Sequence, residues 1–320
     1  MEPAGGAAER RIRVGIGDDA AAWQPSRSHL SVITTDALVD GVHFLSEKVE
    51  ASAVGHRAMA SNLSDIASMG ARPVLATVAL GLPASIGEDW VLDCYRGMQG
   101  LAARHATRIV GGDIVRAPAI TLSLTVVGEV SASRLKRREG GKAGDVLAVT
   151  GPLGASRAGL ELLRRAAGFS SQIDDGDRET AAQAYAVPEP RVAEGRWLAA
   201  SRNVHAMMDC SDGLSIDVDR LARASGCGAT LRQVPIAASA AAVAVAAGDD
   251  PMRYSLEGGE DFELIVAVAP RAFAHLARRF ERRFMRPLPA LGSLDEETGL
   301  RIQEGGALRE LTPRGWDHLA

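Results

Sequence analysis

A two-domain protein of mixed α and β structure, α/β in class with an α+β character, is what this sequence predicts, on three observations. It has 320 residues, enough for two domains of ordinary size. Strand-like and helix-like segments mix along it without strict β–α–β alternation and without a short-period repeat. A polar, glycine-containing stretch, SASRLKRREGGKAGD at 131–145, interrupts the pattern. It is the best boundary, and it divides the chain into 1–136 and 137–320.

The elements follow in order. The first ten residues are small and polar, and they lack the apolar core of a signal peptide. Leu30 to Thr35 reads as a strand that delivers Asp36 at its end. Residues 52–69 read as a helix, with Ala58, Asn62, Asp65 and Met69 on one stripe at steps of four, three and four. Gly70 and Pro73 stop it. Val74 to Leu82 is a buried strand and 88–105 a helix. Arg108 to Val110 is a short strand ending at a GGD turn, and Ile120 to Val130 is another strand. After the boundary come a strand at Val146–Thr150, a turn at Gly151–Gly154 and a helix at 155–167. A polar loop runs from Gly168 to Glu179. Val204 to Met208 is a strand running into DCSDG. The helix after it carries Leu214, Val218, Leu221 and Ala222 on one face and ends at Gly226. Phe262–Val268 is a strand, 271–284 a basic helix and Pro289–Leu294 a late strand.

Composition narrows the function. The chain is 46% hydrophobic and 24% charged, so it can build a core. With a net charge of −4 and no basic stripe, nucleic acid is a poor partner. The apolar runs are shorter than the ~20 residues of a membrane helix. Cys94, Cys210 and Cys227 have neither metal nor disulfide spacing, which predicts a reduced, cytoplasmic protein.

The distinctive feature is a series of aspartates in short motifs: Asp18 and Asp19 in GIGDDA, Asp36 in TTDALVDGVHF, Asp65 in NLSDIASMGARP, Asp113 in GGDIVR, and Asp209 and Asp212 in DCSDGLS. GGEDFEL adds Glu260 and Asp261. If such acids converge, a cation must sit among them, because two like charges about 4 Å apart repel by roughly 4 kcal/mol at an effective dielectric near 20. Oxygen-only ligands suit Mg²⁺, which most often serves phosphate chemistry. In TTD, two hydroxyls and a carboxylate offer three oxygen ligands. Asp65 interrupts an apolar stripe, where burial demands a cation or strong hydrogen bonds. The glycines of GGD permit close approach to phosphate. Ser211 or Asp212 is a possible helix N-cap, an excuse Asp209 does not share. His43 alone reads as a structural histidine. GPLGASRAG lacks the lysine and Ser/Thr of a P-loop. No Ser-His-Asp or Cys-His arrangement competes for the chemistry.

The ordered set GIGDDA, TTDALVDGVHF, NLSDIASMGARP, GGDIVR, RREGGKAGD, VTGPLGASRAGL, PEPRV, DCSDGLSIDVDRLARASGCGA, GGEDFEL and GWDHL resembles the thiamine-monophosphate kinase family, of the aminoimidazole ribonucleotide synthetase-like superfamily. The likeness runs from about residue 14 to 318. It implies that two-domain fold, with an N-terminal domain that binds metal and ATP and dimerises through its sheet, and a C-terminal domain that completes the active site. It implies direct, Mg²⁺-assisted transfer of the ATP γ-phosphoryl group to thiamine monophosphate, the last step to thiamine diphosphate. Carried over by position, Asp19, Thr34, Thr35, Asp36, Asp65, Asp113, Asp209 and Asp212 are metal ligands. Gly112, Asp113, Arg138 and Ser211 fall on ATP positions, and His43, Glu260 and Trp316 on thiamine-monophosphate positions. No residue is implied as a general base, since the acceptor is an ionised phosphate. The sequence departs from the family pattern in Cys210, Phe262 and GGDIV. Other enzymes of the superfamily, or a non-catalytic Mg-nucleotide sensor, are the alternatives. Two superfamily types carry a cysteine near the N-terminus or at the C-terminus, and this sequence has neither.

Overall fold

The computed structural model describes residues 11–17, 20–165 and 169–316. The chain divides into two compact units, Met1–Leu135 and Lys136–Ala320.

In the first unit β1 (Ile12–Val14) and β2 (Ala22–Trp23) form a small antiparallel pair. Then come β3 (His29–Val39), α1 (Ala51–Ser68), β4 (Arg72–Leu82), α2 (Glu88–Arg104), β5 (Arg108–Arg116) and β6 (Thr121–Ser131). The four long strands make one sheet in the order β3-β6-β4-β5. Only β4 and β5 are parallel, joined across α2. α1 packs on β3, β6 and β4 and against α2. The reason is legible in β6: Leu122, Leu124 and Val126 alternate inward and are fully buried, while Thr121, Ser123 and Thr125 between them are not. β3 repeats the pattern, with Ser31, Ile33, Thr35 and Ala37 on the other, exposed side.

Two sequence expectations change here. β3 continues past Asp36 to Val39, so the aspartate lies inside the strand rather than at its end. β5 runs straight through GGD, so no turn forms there. Gly112 is nonetheless required: a Cβ on it would sit 2.1 Å from the Val78 carbonyl oxygen. At the far end of β6 the buried Glu129 accepts hydrogen bonds from Arg11, Arg72 and both the N–H and hydroxyl of Ser26. Burial alone would raise its pKa, but the bonds from Arg11 and Ser26 outweigh that and hold it at about 2. This acid ties the β1–β2 pair to the main sheet.

The second unit contains β7 (Val146–Val149), α3 (Ala155–Arg164), α4 (Asp175–Ala186), α5 (Val192–Ala199), β8 (Val204–Cys210), α6 (Leu214–Ala224), β9 (Gly228–Leu231), α7 (Ala238–Ala247), α8 (Pro251–Glu257), β10 (Glu263–Val268), α9 (Pro270–Phe284), β11 (Ala290–Asp295), β12 (Leu300–Glu304) and β13 (Ala307–Glu310). Its sheet has the order β13-β12-β9-β11-β7-β10-β8, parallel only between β12 and β9. Leu214, Val218 and Leu221 of α6 join Met208, Cys210, Ile265 and Leu294 in the main core. A second core lies among α3, α4, α7 and Tyr254 of α8. The expected loop at 168–179 is cut short because Asp174 caps α4, its carboxylate accepting the Gly176 N–H at 2.9 Å. Among the described residues no helix is long and apolar enough to cross a membrane.

Candidate active site

In the first unit the alternation of β3 sorts the expected ligands. Thr34 and Asp36 share the face that α1 covers, and the Thr34 hydroxyl donates to the Asp65 carboxylate on α1. Thr35 points the other way. Its hydroxyl donates to the Leu124 carbonyl at 3.0 Å and accepts from Thr125 at 3.2 Å. The register places Asp113 in a row with Ala79, Ser123 and Ala37, on the same face as Thr35. The sheet therefore brings Thr34, Asp36 and Asp65 to one side, and Thr35 and Asp113 to the other. Asp113 is exposed and accepts the neighbouring Ile114 N–H at 2.9 Å. His43 sits in the turn after β3, where its Nδ1 accepts the Val39 N–H at 3.0 Å. Its carbonyl accepts from Arg57 at 3.3 Å. Asp19 lies outside the described residues.

In the second unit the Cys210–Gly213 turn gathers several motifs. Asp209 is buried at the end of β8, opposite Leu264. Neither Ser211 nor Asp212 caps α6, since the N-cap is Gly213 at φ 125°. Asp217, inside the helix, does that work in reverse. One oxygen of its fully buried carboxylate accepts the N–H groups of Ser211, Asp212 and Gly213 at 3.1, 3.0 and 3.2 Å. Arg220 bridges Asp217, at 3.0 Å, and Asp212. Burial, followed by the neighbouring Asp212 charge, pushes Asp217 up to about 6.

The GGED loop closes on the same turn. Glu260 donates its N–H to the Ser211 carbonyl at 2.7 Å, and Phe262 to the Cys210 carbonyl at 3.0 Å. Both residues are left-handed, at φ 63° and 49°, an arrangement that costs a non-glycine residue about 1–2 kcal/mol each. Asp261 between them accepts the N–H groups of Gly154 and Ser156 at the start of α3, at 2.7 and 3.2 Å. Burial raises its pKa to about 7. Asp261 thus pins the strained loop from below. Strain at such a place is a mark of function. Glu260→Gly should keep or raise the melting temperature, because glycine adopts this backbone without that cost. A clear loss of thermal stability would show that the loop is not strained at this residue.

The C-terminal tail completes the group, with the Trp316 N–H donating to the Asp212 carbonyl at 2.9 Å. Ser211, Asp212, Glu260 and Trp316 are thus tied together through main-chain bonds. Arg138 is not among them. Its carbonyl accepts from Ser225 at 3.1 Å, at the opposite end of α6 from Ser211. Asp217 and Arg220 are contributors that sequence reasoning missed, while Asp261 was named among the acids without a role. An acid in the first turn of a helix that starts at a glycine was the available signal for Asp217.

Among the described residues no three Asp, Glu, His or Cys side chains are assembled to hold an ion. The donors present are oxygens, which fits Mg²⁺ in its usual protein setting, where one or two carboxylates share the ion with substrate phosphates. An all-protein cage is not needed.

Comparison with known proteins identifies the family. Residues 17–130 match the AIR synthase related protein, N-terminal domain, and 142–302 the corresponding C-terminal domain. The thiamine-monophosphate kinase of Rhodopirellula baltica is 38% identical over 82% of this chain and 78% of its own length. The crystal structure of thiamine-monophosphate kinase from Stenotrophomonas maltophilia K279a superposes with a TM-score of 0.83 at 34% identity, covering 93% of this chain and 92% of that one. A structure of AaThiL complexed with AMPPCP and TMP gives 0.78 at 29% identity, covering 92% and 89%. On the strength of both domains and of relatives matched over most of its length, the chain belongs to the AIR synthase-related proteins and, within them, to the thiamine-monophosphate kinase family.

Proposed function

We propose that this protein transfers the γ-phosphoryl group of ATP to thiamine monophosphate, yielding thiamine diphosphate and ADP. The observation that carries the reading is the joining of Ser211, Asp212, Glu260 and Trp316 by main-chain bonds within the second unit. It combines a polar turn fit for phosphate and metal with an acid and an aromatic fit for a cationic ring system. Donor and acceptor are both anions. Phosphoryl transfer therefore asks mainly for positioning and charge neutralisation. Mg²⁺, if bound, would supply that neutralisation. Asp36 and Asp65, with the Thr34 hydroxyl beside them, would hold such an ion in the first unit; Thr35 and Asp113, on the other face of the sheet, would serve a separate one, and Asp19 is carried over by position alone. Asp209 and Asp212 serve in the second. Arg220 and Asp217 hold the Asp212 carboxylate and its peptide in place. Gly112, Asp113 and Ser211 are read as ATP contacts, while Arg138, at the opposite end of α6 from Ser211, is carried over by position alone. His43 contacts the acceptor. No strong general base is required, because the attacking oxygen belongs to an ionised phosphate.

The direct test is ADP release on adding thiamine monophosphate to enzyme, ATP and Mg²⁺. ADP formation indifferent to the acceptor would reject the reading in favour of another nucleotide-dependent role. For recognition, Trp316 is read as stacking on the substrate rings, with Glu260 adding opposite charge. Trp316→Ala should weaken acceptor use by roughly 1–2 kcal/mol, the scale of a stacking or partly desolvated cation–π contact. The Michaelis constant for ATP should barely move. A rise for ATP alone would assign the tail to the other substrate.

The protein is read as a cytoplasmic homodimer paired through its first unit. The exposed side of the four-stranded sheet, with Ile33 at 68% exposure beside Thr35 and Ala37, supports this. Light scattering should give twice the chain mass of 33.6 kDa, and a value at the chain mass at micromolar concentration rejects the dimer.

A further inference from the structure

We infer that Ser215 and Gly315 are positioning residues that latch the C-terminal tail to the start of α6 and so deliver Trp316 beside the Ser211–Asp212 turn and Glu260. The inference rests on the reading of Trp316 as an acceptor-binding residue. After β13 ends at Glu310, residues 311–316 have no regular secondary structure, so their order must come from specific contacts. Ser215 supplies two. Its buried hydroxyl donates to the Arg314 carbonyl at 2.6 Å and accepts the Arg314 N–H at 3.0 Å. One side chain thereby satisfies both polar groups of one peptide residue 99 positions away. A serine in the first turn of a helix ordinarily bonds local backbone or water. Here that capacity is spent on the tail.

Gly315 is the second part. A Cβ on it would lie 2.3 Å from the Asp212 carbonyl oxygen and 2.6 Å from Ile216 Cγ2. Only glycine lets the tail approach closely enough for the next residue to reach that same carbonyl, which accepts the Trp316 N–H at 2.9 Å. Leu311 packs against the main core upstream, so the segment is held at both ends. The indole is carried on a main chain that is fixed, though the residue itself is 41% exposed. Asp212 is held at the same time from its side chain, by Arg220. The proposed metal-binding and acceptor-binding residues therefore share one peptide frame.

The test compares Ser215→Ala and Gly315→Ala with Trp316→Ala and with the double variant Ser215→Ala/Trp316→Ala. Ser215→Ala should raise the Michaelis constant for thiamine monophosphate about five- to tenfold, the scale of one or two lost hydrogen bonds. The constant for ATP and kcat should stay within about twofold, since the lost contact acts on acceptor binding alone. Gly315→Ala should do the same or more. On the Trp316→Ala background the serine substitution should have no further effect, because a latch without its cargo has nothing to position. The latch is overturned if Ser215→Ala leaves the acceptor constant unchanged, if both constants move together, or if the two effects simply add. If Trp316→Ala itself leaves acceptor use unchanged, the failure belongs to the reading of the tryptophan.

Discussion

Asp65→Asn is expected to lower turnover roughly 100- to 1000-fold, the range seen when one preorganised charge-stabilising group is removed. The melting temperature should stay within a few degrees. Asparagine keeps the shape and one acceptor oxygen, so the Thr34 hydroxyl that now donates to Asp65 still has a partner. What disappears is a negative charge on a rigid helix that packs directly on the sheet carrying Asp36. If that charge serves a divalent cation, no rearrangement nearby restores it. Asp36→Asn and Asp113→Asn should act alike, although the register puts Asp113 on the other face of the sheet. Steady-state kinetics at saturating Mg²⁺, paired with thermal melts, decide the matter. Near-normal turnover in all three variants would remove metal binding from the account of these acids.

Arg191→Ala should cost up to about 3 kcal/mol of stability, less than the roughly 3–5 kcal/mol of a fully stranded buried charge because Arg286 still pairs with Glu263. Glu263 has a side chain only 4% exposed. Arg191 grips it with two bonds at 3.1 and 2.8 Å, and Arg286 adds one at 2.7 Å. The Thr150 hydroxyl donates as well, at 2.5 Å. These contacts tie β7, β10, the start of α5 and the chain after α9 to one carboxylate. Burial would raise the pKa of Glu263, but the two arginines overcome it and hold the group below the ordinary carboxylate range. In the parent protein the resulting stability is present above that range and lost as pH falls. In Arg191→Ala much of the opposing charge is gone, so burial pushes the pKa back up. The penalty is then largest at neutral pH and shrinks on acidification. Urea unfolding at pH 8 and pH 5 should show the gap between the two proteins narrowing. The exposed Arg309–Glu304 pair is the control, where alanine should leave the urea midpoint nearly unchanged. A midpoint for Arg191→Ala equal to the parent's would show that Glu263 is not held by this pair.

Much of the layout was legible because it is written in local patterns. The inward residues of β3 and β6 alternate with a period of two, and the stripe through Asn62 and Asp65 has the period of a helix, which runs from Ala51 to Ser68. Other elements carried no such signal. α7 is ASAAAVAVAA, apolar all round, so no period marks its buried side. β5 was read as stopping at GGD because glycines suggest a turn. The neighbouring Val78 carbonyl instead makes glycine the residue that fits inside the strand.

The sequence by itself determined the class of the protein and its chemistry: a two-unit α/β chain, oxygen donors in ordered motifs and no rival catalytic constellation. Those properties depend on residue type and short spacing. Only the tertiary structure decided how the motifs are held. It alone set Arg191 on Glu263, Asp261 under the strained GGED loop, Asp217 against the turn it supports, and Ser215 on Arg314. It also separated Thr35 from Thr34, and Arg138 from Ser211. Apart from the Thr34–Thr35 alternation and the Asp217 turn, these pairings join residues tens of positions apart. No local propensity encodes such a pairing, because it exists only when packing brings the two segments together and the cost of burying their polar groups forces them to satisfy one another.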